Sequence, residues 1–379
     1  MTVQTFAVNV PQSTLDDLQR RLARTRWVDE VEGVGWDYGT NKEYLKGLVD
    51  YWQNGFDWRA QEAKLNQFAH FRADVDGAGI HFIHERGRGP NPLPIILTHG
   101  WPDSFIRMLK IIPMLTDPAK FGGDPNDSFD VIVPSIPGYG FSDRSFQKGM
   151  STNRVADLWA KLMGVLGYKR FAAAGGDMGS VITMHLAQTY PEQLIGIHLT
   201  DVSYPMSPPE GVEYDADAQR YFDGLQNWWM SEGAYSMLHS TKPQTTAYAL
   251  TDSPVGLAAW QVEKFRAWSD CGGDVEARFT KDELLTNITI YWATETINSS
   301  MRLYAEQDTP LYPAPRIEVP AAIAHFTTEL LPPRSWIEQA MNLQRWTEMP
   351  RGGHFAALEE PELMAEDLRA FYRPLRQGA

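Results

Sequence analysis

Nine residues, Ala172-Ala173-Ala174-Gly175-Gly176-Asp177-Met178-Gly179-Ser180, do most to limit what this chain can become. A run of small residues ending in two glycines, followed by X-X-Gly, has the form of a sharp strand-to-helix turn, in which larger side chains would strike the backbone. Such a turn needs a strand before it and a helix after it. It also pushes the residue at its apex, Asp177, into the open. A Ser or Cys in that place does acyl transfer; a carboxylate there points to alkyl-ester formation instead.

The surrounding pattern supplies the strands and helices such a turn requires. Phe68 to Val75 and Ile80 to His84 flank Asp76-Gly77, a hairpin signal. Short apolar runs at Leu93 to Thr98, Phe129 to Pro134, Phe171 to Ala174 and Leu194 to Leu199 alternate with helical stretches such as Val181 to Tyr190. That alternation indicates an α/β fold with a mostly parallel central sheet and helices on both faces. Before it, residues 1–67 read as a mostly helical wrapping segment. Ser13 or Thr14 would cap a helix carrying Leu15, Leu18 and Leu22, and a second helix would run through Tyr44, Leu45, Leu48, Val49 and Trp52. After it, residues 205–308 turn aromatic and helix-like, as expected of a helical cap inserted between a first core part at 68–204 and a second at 309–379. The second part holds strands at Val319 to Phe326 and Leu343 to Met349, and a last helix through Leu363 and Leu368.

Composition narrows the function classes. A net charge of −14 over 379 residues argues against nucleic-acid or anionic-membrane partners. The single cysteine, Cys271, has no intrachain partner, and no apolar run approaches a membrane span. The start of the chain lacks the pattern of a signal peptide, so a cytoplasmic enzyme is expected. The pattern suggests no metal and no cofactor. The oligomeric state is left open, a homodimer included.

Catalytic groups of a parallel sheet gather at the carboxyl ends of its strands. Asp177, His354 in Arg351-Gly352-Gly353-His354, and the loop His99-Gly100-Trp101-Pro102 each follow a strand in this reading. The order nucleophile, acid, His is that of the α/β-hydrolases. His354 has the near-neutral titration a general base needs.

On these motifs the chain resembles the microsomal-type, or juvenile-hormone-type, epoxide hydrolases of the α/β-hydrolase superfamily, and looks like a soluble, bacterial-type member. Further matching pieces are His239-Ser240-Thr241-Lys242-Pro243, Leu250-Thr251-Asp252-Ser253-Pro254-Val255-Gly256-Leu257 and Phe355-Ala356-Ala357. The resemblance implies an α/β-hydrolase fold with a helical cap. It also implies hydrolysis of an epoxide by water to a vicinal diol through an ester on Asp177, with His354 activating the water. Glu329 would orient His354, with Asp201 as the rival for that role. Tyr235 and Tyr304 on the cap would protonate the epoxide oxygen, and the backbone N–H groups of Trp101 and Met178 would form the oxyanion hole. Position 178 is commonly Trp in this family; Met keeps the N–H and softens one pocket wall.

Three other functions compete. A haloalkane dehalogenase shares the Asp nucleophile but needs halide-binding donors such as a Trp after it, where this chain has Met178. An esterase or C–C hydrolase normally carries Ser at the apex. A catalytically dead binding protein would have no need to keep nucleophile, base and both tyrosines together.

Overall fold

The computed structural model describes residues 2–307 and 315–378. One nine-stranded sheet organises them: β1 (Val3–Phe6), β2 (His70–Val75), β3 (Ala78–Glu85), β4 (Leu93–Thr98), β5 (Phe129–Pro134), β6 (Phe171–Gly175), β7 (Leu194–Leu199), β8 (Ile317–His325) and β9 (Met341–Glu348). Their spatial order is β1-β2-β3-β5-β4-β6-β7-β8-β9. The first four strands in that order pair antiparallel, and every pairing from β5 through β9 is parallel. β2 and β3 meet at the anticipated hairpin, where Asp76 (φ 56°) and Gly77 (φ 82°) supply the two left-handed residues of a tight turn.

Strand β6 shows why the parallel half reads as short apolar runs. Its residues alternate between the two faces, and both faces are covered. Ala173 packs with Ile96, Ile132 and Ile197 and with Trp159, Ile182 and Leu186 from the helices Thr152–Val165 and Met178–Thr189. Ala172 and Ala174 join the other core, with Val131, Val133 and Leu368, Phe371 and Tyr372 from the helix Pro361–Tyr372.

Six helices from Ala216 to Ala305 lie between β7 and β8 in sequence. The longest-buried of them, Lys281–Thr294, starts at a capping box: the Thr280 hydroxyl accepts the Glu283 N–H while the Glu283 carboxylate accepts the Thr280 N–H. The expected boundary between cap and second core part, at 308/309, lies outside the described residues.

The N-terminal segment differs from expectation in two places. Val3–Phe6 is an edge strand on β2, although its four residues carry too little pattern to mark it. The first helix is Gln12–Leu22 and begins after Pro11, with no side-chain cap from Ser13 or Thr14, both of which lie inside it. The second helix, Lys42–Asn54, is capped by Asn41, whose side chain accepts the Tyr44 N–H. This segment packs on the inserted helices. Buried Trp52 donates its indole N–H to the Thr289 hydroxyl at 3.2 Å, and the Tyr51 hydroxyl donates to Asp282 at 2.9 Å. Truncating a fully buried Trp of this kind costs about 3–5 kcal/mol. Among the described residues no helix is long and apolar enough to cross a membrane.

Candidate active site

β6 ends at Gly175, and the helix Met178–Thr189 begins two residues after Gly176. Between them Asp177 sits at φ 60°, ψ −130°, a region that costs a non-glycine residue on the order of 1–3 kcal/mol. Its surroundings fix it there. The Asp177 carbonyl accepts the Ser180 N–H at 3.0 Å, and its own N–H donates to the Asp201 carboxylate at 2.6 Å. The turn is so tight that a Cβ on Gly179 would lie 2.1 Å from the Thr98 carbonyl oxygen. Apex geometry of this kind comes directly from the run of small residues.

The Asp177 side chain faces the loop after β4. The Trp101 N–H donates to Asp177 Oδ1 at 2.8 Å. Across Gly100 the fit is equally close: a Cβ there would lie 2.2 Å from Oδ1. The other carboxylate oxygen, Oδ2, lies 3.4 Å from His354 Nε2. On the far side of the imidazole, His354 Nδ1 is 2.6 Å from Glu329 Oε1. Glu329 thus lies on the side of the imidazole away from Asp177. Asp201 is nearby but is engaged by the Asp177 backbone N–H.

Two loops hold this pair in place. Glu329 follows β8, where the Thr327 N–H donates to the Gly352 carbonyl at 2.9 Å and ties the acid loop to the histidine loop. Buried Glu359 collects the N–H groups of Gly353 and Phe355, at 3.0 and 2.9 Å, on either side of His354. The Trp268 carbonyl accepts both the His354 N–H at 3.0 Å and the Thr328 hydroxyl at 2.8 Å.

The charges of the site depend on one another. Burial raises the pKa of Asp177, but the adjacent His354 imidazole, the charge of Arg107 and the Trp101 N–H outweigh it and hold the carboxyl below its usual range. Burial disfavours a charged His354, yet the Glu329 charge, the adjacent Asp177 carboxylate and the hydrogen bond to Glu329 lift it well above the usual histidine range. Asp177 and His354 thus favour one another's charged forms.

Opposite Asp177 stands an aromatic cluster from the inserted helices. Tyr235, in the helix Ala234–Thr241, stacks on the Trp101 indole with centroids 5.0 Å apart, and Tyr304, in Ile297–Ala305, lies 5.9 Å from Tyr235 ring to ring. Both phenols are raised, first by burial and then by charge: that of Asp177 on Tyr235, and those of Tyr235 and Asp177 on Tyr304. They stay protonated. Trp268 closes the wall, 5.1 Å from Tyr235 and 5.2 Å from His354. Met178 is the first residue of its helix, so its N–H has no acceptor within the helix.

Several further residues of the site had no role assigned to them from the sequence. Arg107 is buried and ion-paired with buried Asp103, and its charge reaches Asp177 and Asp201. An Asp and an Arg four apart usually sit on an exposed helix face, and only the structure shows this pair inside. His239 is fully buried, its ring 4.8 Å from Trp101 and 4.9 Å from Tyr304. Lys264 stands 5.2 Å from the Tyr235 ring centre and pairs with Glu232 at 2.9 Å. His99 holds the loop: its Nε2 accepts the Ile136 N–H at 3.1 Å. The ligand atoms of Asp201, Glu329 and His354 lie within 4.8 Å of one another, close enough for a cation. Each is also committed to a hydrogen bond with a neighbour in the site.

Comparison with known proteins accords with this arrangement. Residues 3–108 match the family model "Epoxide hydrolase N terminus", and residues 94–361 match "alpha/beta hydrolase fold". "Epoxide hydrolase 1" of Sus scrofa is 38% identical over 99% of this chain and 90% of its own. The juvenile hormone epoxide hydrolase structure from Bombyx mori superposes with a TM-score of 0.85 at 30% identity, covering 99% of this chain and 94% of that one. The Aspergillus niger epoxide hydrolase structure does so at 0.87, again with 30% identity, over 99% and 97%. The fold, the two family models and the relatives along nearly the whole chain agree: this protein belongs to the epoxide hydrolases of the α/β-hydrolase family, hydrolases that act on an ether bond.

Proposed function

We propose that the chain opens epoxides in two covalent steps, with the roles assigned as follows. Asp177 Oδ2 attacks an epoxide carbon while Tyr235 and Tyr304 donate hydrogen bonds to the ring oxygen and supply its proton. The C–O bond of the ring breaks, an ester forms on Asp177, and the former ring oxygen leaves as a hydroxyl. Water then attacks the ester carbonyl carbon as His354 takes its proton. The developing oxyanion rests on the Trp101 and Met178 N–H groups. The ester C–O bond breaks, the departing alkoxide takes the proton of the newly added hydroxyl, the tyrosinate recovers its proton from His354, and the diol departs carrying the Asp177 oxygen that attacked the epoxide. In this reading the inserted helices serve as a cap that brings the tyrosines over the nucleophile.

The observation that carries the proposal is the opposed placement of partners on the two oxygens of Asp177: the Trp101 N–H on Oδ1 and His354 beside Oδ2. The 3.4 Å separation on the second side is long for a hydrogen bond, so His354 Nε2 is not locked to Oδ2. Electrostatics add a switch. Asp177 helps to hold the proton on His354, and alkylation turns that carboxylate into a neutral ester. The proton affinity of His354 then falls at the step that needs a base. Tyrosines suit the opposing wall because a neutral phenol donates without repelling the nucleophile.

The test is intact mass after mixing His354→Gln with styrene oxide. An adduct of the mass of the epoxide on Asp177 is expected to accumulate. A protein that turns over with no adduct, or an Asp177→Asn variant that still makes diol without reverting to Asp, would overturn the covalent reading.

A further inference from the structure

Asp201 lies immediately past β7, beside the elbow. The Thr200 N–H donates to the Gly175 carbonyl at 3.2 Å, which joins the end of β7 to the end of β6 and delivers the next side chain to Asp177. There Asp201 Oδ2 accepts the Asp177 N–H at 2.6 Å. Asp201 is 7% exposed. That N–H belongs to the most strained residue of the site, at φ 60° and ψ −130°. Left without Asp201, it would be a buried donor lacking an acceptor at the position whose side chain must meet the epoxide.

We propose that Asp201 is a positioning residue for the nucleophile: by accepting the Asp177 backbone N–H it holds the elbow in its left-handed conformation, so that Oδ2 of Asp177 faces the substrate. This rests on the reading of Asp177 as the nucleophile. The role needs an acceptor oxygen and not a charge. Around Asp201 stand the carboxylates of Glu329 and Asp177, the imidazole of His354 and the Ser180 hydroxyl, with Arg107 and Tyr204 also within reach of its charge. Burial, then the Glu329 charge, push its carboxyl up to about 7, so a neutral Asp201 is readily reached in this setting. A neutral carboxyl still offers its carbonyl oxygen to the N–H, and so does the amide of Asn. Glu329, in contrast, holds the imidazole at 2.6 Å, where a charge is required.

The two roles separate in a single-turnover experiment on adduct formation in the His354→Gln background, using styrene oxide and quenched intact mass. Adding Asp201→Asn should leave the alkylation rate within about threefold. Adding Asp201→Leu, with the same branching and heavy-atom count but no acceptor, should slow it by about 10- to 100-fold, the rate equivalent of one buried unsatisfied N–H. The half-saturating epoxide concentration should not move, since Asp201 does not touch substrate. Asp201→Ala is run beside it, and circular dichroism melts identify any variant that fails to fold. An Asn variant slowed as much as the Leu variant would overturn the proposal, because the charge would then be what matters. So would a folded Leu or Ala variant alkylated at the undiminished rate. Absence of any adduct in His354→Gln alone would overturn the covalent reading itself and this inference with it, a result distinct from a slow adduct.

Discussion

Gly100→Ala tests how closely the loop after β4 is fitted to Asp177. A Cβ on residue 100 would stand 2.2 Å from Asp177 Oδ1, 2.4 Å from its Cβ and 2.6 Å from its Cγ. Ordinary carbon contacts need about 3.5 Å, so loop and carboxylate must separate by roughly 1 Å. The Asp177 side chain cannot simply rotate away, because Oδ1 is tied to the Trp101 N–H and Oδ2 faces His354. Overpacking of this kind costs about 1–3 kcal/mol of stability, and the fold should survive it. Catalysis should suffer more, since a misplacement of about 1 Å at the reacting atoms can cost about 100-fold. The expected result is a folded protein whose kcat/KM on styrene oxide falls by about 100-fold, with the loss already present in the single-turnover alkylation rate. Gly164→Ala is the control. It sits in the helix Thr152–Val165, its Cβ would meet nothing within 4 Å, and it should melt at or above the parent temperature with activity intact. A Gly100→Ala enzyme within threefold of the parent would refute the argument that this loop and carboxylate are held in contact.

Four further outcomes are expected. Glu329→Gln should slow ester hydrolysis more than alkylation, by two or more orders of magnitude if imidazole orientation depends on its charge, so the adduct should build up in rapid-quench mass spectra; an unchanged ratio of the two rates would argue for a different acid. Tyr235→Phe and Tyr304→Phe should each slow alkylation by about 10-fold or more, and the double variant should nearly abolish it, as read by stopped-flow on a chromogenic epoxide. Asp367→Asn should lower stability by about 3–5 kcal/mol in urea unfolding, because buried Asp367 accepts from His198 at 2.8 Å and from Arg345 at 2.6 and 2.8 Å. Burial raises the Asp367 pKa, but the hydrogen bond and charge of His198, with Arg345 and Thr347, drive it below its unfolded value. Its stabilising effect is therefore fully present above about pH 4 and is lost as pH falls through the lower folded value, so the urea midpoints of parent and Asp367→Asn should converge in acid.

Much of the outline of the candidate site could be read from the chain because it is written in residues with few other uses. The small-residue run around Asp177 makes sense only as a tight turn, and the β6 run is short and apolar because both of its faces are covered. His354 lies beside both Asp177 and Glu329, and Tyr235 and Tyr304 belong to the ring cluster around Trp101. The tyrosines could be selected only through family resemblance, since nothing local separates two buried phenols from the other aromatics of a helical layer. Asp103, Arg107, His239 and Lys264 escaped for a related reason. Their significance is burial beside partners far away in sequence, as with Lys264 against Tyr235, and a linear pattern does not show which polar residues are folded inward. The strand Val3–Phe6 escaped because an edge strand of four residues gets its structure from its neighbour β2.

The two oxygens of Asp177 are inequivalent: one is tethered to the Trp101 N–H and the other is free toward His354. If the free oxygen leaves with each diol, the water of that turnover refills the carboxylate, and the product of any cycle carries the oxygen taken up in an earlier one. The tether determines how far that record is blurred, since only a rotating carboxylate can scramble its two atoms. Isotope followed through successive turnovers would thus time the rotation of one side chain inside a working enzyme, a motion that steady-state rates do not register.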